Sequence, residues 1–323
     1  MRNIKALSAL CLGMLAPIAA EALTLKTADS HSENDSTVKA LKFMSQELEK
    51  STNGDIKLKI YPNSTLGDGI QVLQQVQRGN VDIARVSALN LSVFNPELGL
   101  FSMPYLFEDM DHFERFLESG AAEKTLSSIE DGGNFVGLSY FTNGFRSFYT
   151  QNQSILTPED LEGLKIRVMS NPDSIKMVEL LGGQPTPMSF SEVYGALEQG
   201  VIDGGETAIT GLTNGGLGEV AKAFSLDEHT LIPDVVVVSK KTWDSLDPQQ
   251  KESLVKAMEK TQDYQHSLYL EDVSESKKIA EKEMGVEFHE VDKQAFKEKA
   301  APMYKELTDA QQGIVKEIES LAK

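Results

Sequence analysis

Gly163-Leu-Lys-Ile-Arg-Val-Met169, followed by Ser170-Asn171-Pro172, decides how the rest of the chain is read. Leu164, Ile166 and Val168 alternate with Lys165, Arg167 and Met169, so the stretch predicts a short strand with one apolar face. Ser170-Asn171-Pro172 ends it, and a helical run follows over about 173–181. That order places Arg167 near the carboxyl end of a strand, where open α/β sheets hold their ligands. A guanidinium there is a planar two-pronged donor suited to a carboxylate. The alternative is a structural ion pair with one of the protein's own carboxylates, since Asp and Glu together number 49.

The same grammar occurs twice. In the first half, 55–60 alternates as a strand and Tyr61-Pro62 ends it. A helix is expected from about Gly69 to Gly79, and Val81-Asp82-Ile83 opens another strand. In the second half, a helix is expected to open at Ser189. Ser189-Phe-Ser-Glu192 has capping-box spacing, in which the serine serves a backbone N–H and the glutamate reaches back. It ends at Gly200, and Val201-Ile202-Asp203 opens a strand. Val76-Gln-Arg-Gly-Asn-Val-Asp82 and Leu197-Glu-Gln-Gly-Val-Ile-Asp203 share one pattern: apolar, two polar, Gly, one residue, apolar, Asp. The repeat predicts two similar α/β lobes. After Lys241 the pattern changes to a long helix from Asp247-Pro248 to about Met284, with a bend expected in it, a short strand at 287–292, and helices near 294–307 and 309–322. The expected layout is 1–22 as a leader, 23–145 mainly the first lobe, 146–235 mainly the second, and 236–323 a crossover segment spanning both.

Arg2 and Lys5, the apolar run 6–18 and Ala20-Glu21-Ala22 form an export signal with a cleavage site expected after Ala22. The run is too short to anchor in a bilayer. Cys11, the only cysteine, lies inside it without a lipoprotein box, so neither a lipid anchor nor thiol chemistry is expected in the mature protein. Net charge is −18, and removing the leader makes it one unit more negative. This argues against nucleic-acid and anionic-membrane partners, and an anion site must bring its own local cations.

Arg146, in the β-rich Gly144-Phe-Arg-Ser-Phe-Tyr-Thr150, is a second candidate cation, expected near an adjacent strand end of the same lobe as Arg167. Two guanidiniums on one face suit an anionic guest, because a buried carboxylate needs ion pairing and hydrogen bonds. His31, His112, His229, His266 and His289 are scattered without metal-ligand spacing. No GxSxG elbow or Walker loop occurs. The chain is therefore expected to be no enzyme, with no metal and no cofactor. Gly204-Gly205 and Gly215-Gly216 read as turns or close backbone packing. Phe101-Ser-Met-Pro-Tyr-Leu-Phe107 reads as a buried segment broken by its proline. His31, ahead of the first helix at about 37–49, is either a solvated helix-start residue or a polar ligand contact.

Ile60-Tyr-Pro-Asn-Ser-Thr-Leu-Gly-Asp68, Gly79-Asn-Val-Asp82, Leu164-Lys-Ile-Arg-Val168, Pro185-Thr-Pro-Met-Ser-Phe-Ser-Glu-Val-Tyr194 and Gly200-Val-Ile-Asp-Gly-Gly-Glu206 occur in this order. As a set they resemble the extracytoplasmic solute-binding proteins of tripartite ATP-independent periplasmic (TRAP) transporters. The resemblance covers essentially the whole chain after the leader. It implies a periplasmic α/β protein of two lobes, each a sheet flanked by helices, closing on a small organic acid. It further implies membrane permease subunits as partners and, in our expectation, a monomer without direct membrane insertion. By the resemblance Arg167 grips the ligand carboxylate, Arg146 is a second frequent arginine, and Phe190 flanks the ligand. Glu206 and Thr207 follow in the same motif. The family often carries Asn where this chain has Thr207, a change from donor and acceptor amide to hydroxyl. Ala84-Arg-Val-Ser87, Lys165-Ile-Arg-Val-Met169 and Glu228-His-Thr-Leu-Ile-Pro233 are most similar to members that bind sugar acids such as glucuronate or galacturonate. Arg85, Ser87, His31 and Met169 are the further contacts this suggests. A C4-dicarboxylate, 2-oxoacid or sialic acid remains as an alternative ligand, and a role as ligand-sensing partner of a histidine kinase as an alternative of another class.

Overall fold

The computed structural model describes residues 22–322; the leader, with Cys11 and most of the expected cleavage motif, lies outside the described residues. Eleven strands form two sheets among the described residues. They are β1 (Leu23–Ala28), β2 (Ile56–Tyr61), β3 (Ile83–Ser87), β4 (Phe135–Phe141), β5 (Phe145–Thr150), β6 (Lys165–Val168), β7 (Gln184–Pro187), β8 (Gly204–Ala208), β9 (Ala223–Leu231), β10 (Asp234–Ser239) and β11 (Glu287–Glu290). The first sheet runs β2-β1-β3-β10-β4 and the second β11-β9-β5-β8-β6-β7.

The sequence repeat has a structural cause. In each lobe two helices alternate with three parallel strands, and an antiparallel strand lies beside the third: β2-β1-β3-β10 matches β7-β6-β8-β5. Gly79 (φ +71°) and Gly200 (φ +69°) both end a helix in the left-handed region, where a side chain is strained. The aspartate three residues later then does the same work twice. Asp82 accepts the backbone N–H of Lys26 at 2.8 Å, and Asp203 accepts that of Lys165 at 2.8 Å. Each ties the start of its strand to the neighbour. The helix Phe190–Glu198 begins with the expected capping box of Ser189 and Glu192. Pro185 and Pro187 sit in β7, the edge strand, where a missing N–H donor is tolerated.

The expected boundaries move by a few residues. Val81 and Val201 precede rather than open their strands, and the helix near 294–307 is an α-helix Lys293–Ala300 continued by a 3₁₀ turn Ala301–Glu306. Pro302 lies in that turn. Phe101, Met103, Leu106 and Phe107 are buried, as the sequence suggests. They pack with Phe113, Phe116 and Tyr140 in a core that also takes in Phe148, Ile166 and Phe296 of the second lobe.

The chain crosses between the sheets at Thr142–Gly144, at Ile232-Pro233 and again through the helix Pro248–Lys282, which runs without interruption for 35 residues. This helix packs on the helix Ser36–Ser51 and β4 in the first lobe and on the helix Thr210–Asn214 in the second. Gln265, fully buried on it, holds the first crossing as a neighbouring strand would. Its Oε1 accepts the N–H of Thr142 at 2.9 Å and its Nε2 donates to the carbonyl of Thr142 at 2.9 Å. Both backbone groups are thereby satisfied where the sheet ends. Two turns of structure meet at the same place: Gly144 (φ +78°) lies against the ring of Tyr269.

Candidate ligand-binding site

The carboxyl ends of β1 and β3 in one lobe and of β6 and β8 in the other line a cleft of about 420 Å³. That volume is ordinary for a small-molecule site. Arg167, at the end of β6, is 4 % exposed. Its Nε and Nη2 both donate to the carbonyl of Met188, at 3.1 and 2.9 Å. No carboxylate of the described residues pairs with it, whereas Arg85 is held by two and Arg146 by one. Burial lowers its pKa, against the pull of nearby Glu206. A guanidinium keeps its proton regardless. What remains is a buried cation with no paired carboxylate among the described residues, an arrangement that is costly until a guest supplies one. Phe190 lies between the lobes, its ring 6.0 Å from the Arg167 guanidinium and 5.9 Å from the His31 imidazole. Met169, Thr207, Ser87 and Arg146 also line the cleft. Gly211 leaves room for the Thr207 hydroxyl, since a Cβ there would sit 2.3 Å from Oγ1.

Two sequence expectations change. Glu206 is absent from the cleft lining: its carboxylate takes the Nε of Arg146, its carbonyl accepts Nη2 at 2.8 Å, and it is 3 % exposed. It orients Arg146 from behind. Arg85 reaches the cleft wall but is committed to protein carboxylates, pairing with Asp29 and, at 3.3 Å, with Asp234. In addition, Arg146 and Arg167 are one strand further apart than expected, because β8 runs between β5 and β6.

Superposing the two lobe patterns in register shows where they differ. Arg85 of β3 corresponds to Glu206 of β8, and Asp234, paired with Ser87, corresponds to Arg146, paired with Ala208. One ion pair thus recurs with its charges exchanged. Ala28, opposite Ala84, corresponds to Arg167, opposite Gly205. The free guanidinium has no counterpart in the first lobe, so the fold's architecture does not require it.

The first-lobe wall carries Asp29, Asp35 and Asp234 beside Arg85 and His31. Sequence reading missed these aspartates; Asp35 is the N-cap of the first helix, a position whose local role hides any other. Asp35 lies 3.2 Å from Nδ1 of His31 and accepts Nδ2 of Asn214 from the opposite lobe at 3.1 Å. Ser191 donates to Asp68 across the mouth at 3.1 Å. These contacts and the His31–Phe190 approach hold the cleft closed.

His31 is pulled two ways: burial and the Arg85 charge lower its pKa, but Asp35 and Asp29 outweigh them and the net shift is upward. Burial opposes ionisation of Asp35, yet His31 and the Thr37 N–H leave its carboxyl well below the ordinary range. A raised histidine stabilises the fold below its ordinary 6.5 and loses that contribution as pH rises through the folded value. A lowered carboxyl stabilises above its ordinary 3.8 and loses it as pH falls. The pair therefore acts fully between those two values. Urea midpoints measured from pH 4 to 8 should fall on the alkaline side in the native protein and fall less in His31→Gln. Parallel profiles would refute the coupling.

A two-lobed α/β chain that buries an uncompensated guanidinium in an interlobe cleft defines a binding protein for a small anion. Residues 27–311 match the model of bacterial extracellular solute-binding protein family 7. The chain belongs to that family, as the ordered motifs implied. It is 34 % identical to the 2,3-diketo-L-gulonate-binding periplasmic protein YiaO of Escherichia coli, over 82 % of this chain and 80 % of that one. Among solved structures it is similar to a TRAP periplasmic solute-binding protein of Xanthobacter autotrophicus with bound β-D-galacturonate. The TM-score is 0.89 at 33 % identity, covering 92 % of this chain and 99 % of the other. A TRAP protein of Chromohalobacter salexigens with bound D-glucuronate gives a TM-score of 0.89 at 31 % identity, covering 92 % and 100 %. No helix of the described residues is long and apolar enough to cross a membrane.

Proposed function

We propose that this chain is the periplasmic receptor of a TRAP transporter and captures a hexuronate, galacturonate or glucuronate, for delivery to membrane permease subunits. The observation that carries the reading is the buried Arg167, which has no carboxylate partner among the described residues. A ligand carboxylate completes it with a two-pronged pair. Arg146, held by Glu206, reaches a carboxylate oxygen or an adjacent hydroxyl. Phe190 covers one face of the sugar ring, Met169 and Thr207 shape the floor, and Ser87 and His31 meet hydroxyls from the first lobe. Closure excludes water and strengthens each of these pairs. Both walls come from one chain, so a single copy suffices for binding, and the reading requires no chemical step. The structures with bound hexuronates are 31–33 % identical over nearly their full length, which supports the same ligand class here. Thermal unfolding with a panel of acids tests it. Galacturonate or glucuronate should raise the melting temperature in step with concentration. No shift with either, and a shift with succinate, pyruvate or sialic acid, would replace the hexuronate by that ligand.

A further inference from the structure

The exchanged ion pairs make the cleft polar from one lobe to the other. The second-lobe lining presents Arg146 and Arg167, with Glu206 withdrawn behind the first. The first-lobe lining presents Asp29, Asp35, Asp68 and Asp234 against a single arginine, Arg85, and His31. Asp29 has no acidic equivalent in the second lobe, where the matching position is Val168. One carboxylate oxygen of this wall, Oδ1 of Asp234, is buried with no hydrogen-bond partner among the described residues, and Asp234 is 1 % exposed. An acceptor left unmatched in a cleft wall fits a hydroxyl donor and opposes another acceptor.

We infer that the first-lobe wall is the specificity-determining end of the site: it accepts hydroxyl donors and excludes a second carboxylate, so the receptor takes a sugar acid charged at one end only. The inference rests on the Arg167 clamp, which fixes the first carboxylate in the second lobe and turns the far end of the ligand toward the aspartates. An aldaric acid, which carries a second carboxylate where a uronate has its anomeric carbon, then faces Asp29, Asp35 and Asp234. Like-charge juxtaposition across a desolvated contact is the repulsive element that specificity commonly needs.

The experiment is calorimetric titration of galacturonate and galactarate into the native protein, Asp35→Asn and Asp234→Asn. The native protein should bind galactarate on the order of 100-fold more weakly than galacturonate. In either variant the ratio of the two constants should shrink about tenfold, as one repelling charge is removed. Using the ratio within each variant cancels any general loss of affinity, and the second variant covers a failure of the first to fold. Equal binding of the two acids by the native protein overturns the inference. So does a ratio unchanged in the variants, which would place the discrimination in ring shape. If galacturonate fails to bind and Arg167→Ala alters no acid tested, the clamp itself is wrong and the inference falls with it.

Discussion

Arg167→Ala raises the dissociation constant for the hexuronate by about a thousandfold, roughly 4 kcal/mol, in calorimetric titration. Truncating one member of a desolvated charge pair leaves the other unmatched, and most of the loss appears in the dissociation rate. Arg167→Lys is only a partial repair, because an ammonium is a point charge and cannot present two parallel donors. Stability of the empty protein should respond quite differently. The substitution removes a buried cation that has no carboxylate partner among the described residues, while it deprives the Met188 carbonyl of its donors. These effects oppose each other, so the unliganded melting temperature moves little even though the ligand-induced shift vanishes. A structural arginine would show the reverse, with a large loss of stability and a modest loss of affinity. Near-normal affinity in the alanine variant would end the clamp assignment.

Gly144→Ala destabilises the protein by about 3 kcal/mol, a sum of two costs. A Cβ at this position falls 1.7 Å from Tyr269 Oη and 2.6 Å from Cζ, inside any permitted contact. Overpacking of this kind costs about 1–3 kcal/mol. The backbone is also left-handed, at φ +78°, which adds roughly 1–2 kcal/mol for a residue with a side chain. Tyr269 is 7 % exposed on the long helix, and Gln265 one turn before it holds Thr142, so neither partner has space to yield. The melting temperature should fall by roughly 5–10 °C. Measured against Tyr269→Ala, an added Gly144→Ala meets no overlap and costs only the backbone part, so the double variant loses less than the sum of the two single losses. A single variant within about 0.5 kcal/mol of the native protein would show that the crossing is looser than its contacts imply.

Much of this is legible in the sequence alone. Alternation at 164–169 located β6 to within a residue, since a strand's two faces separate apolar from polar side chains. The repeated Gly and Asp announced twin lobes because each lobe needs the same left-handed helix end and the same strand tie. The arginine at the end of β6 was readable as a candidate, but its lack of a counter-ion was not. That property depends on where every acidic residue of a strongly acidic chain ends up. Glu206 and Arg85 show the difficulty: both lie in motifs that suggest ligand contact, and both are used on neighbouring side chains. The aspartates of the first-lobe wall were invisible because Asp35 caps a helix and Asp234 opens a strand, roles sufficient to explain an aspartate locally. Only the register between the lobes, which pairs Asp234 with Arg146 as equivalents, exposes the reversal of charge.

The ion pair between Arg85 and Asp234 joins residues 149 positions apart. Strand β10, which brings Asp234, sits between β3 and β4 and leaves the first sheet divided until it is inserted. The second sheet likewise takes its edge strand β11 from beyond the long helix in the chain. Neither sheet is therefore complete without a strand from late in the chain, although each lobe looks like a domain in the finished protein. Assembly must wait for late segments to close long loops, which makes folding slow by the usual dependence on sequence separation. The second-lobe wall, built on β5, β6 and β8, is therefore encoded wholly before the first-lobe wall acquires Asp234 from β10, so the clamp precedes the wall that faces it along the chain.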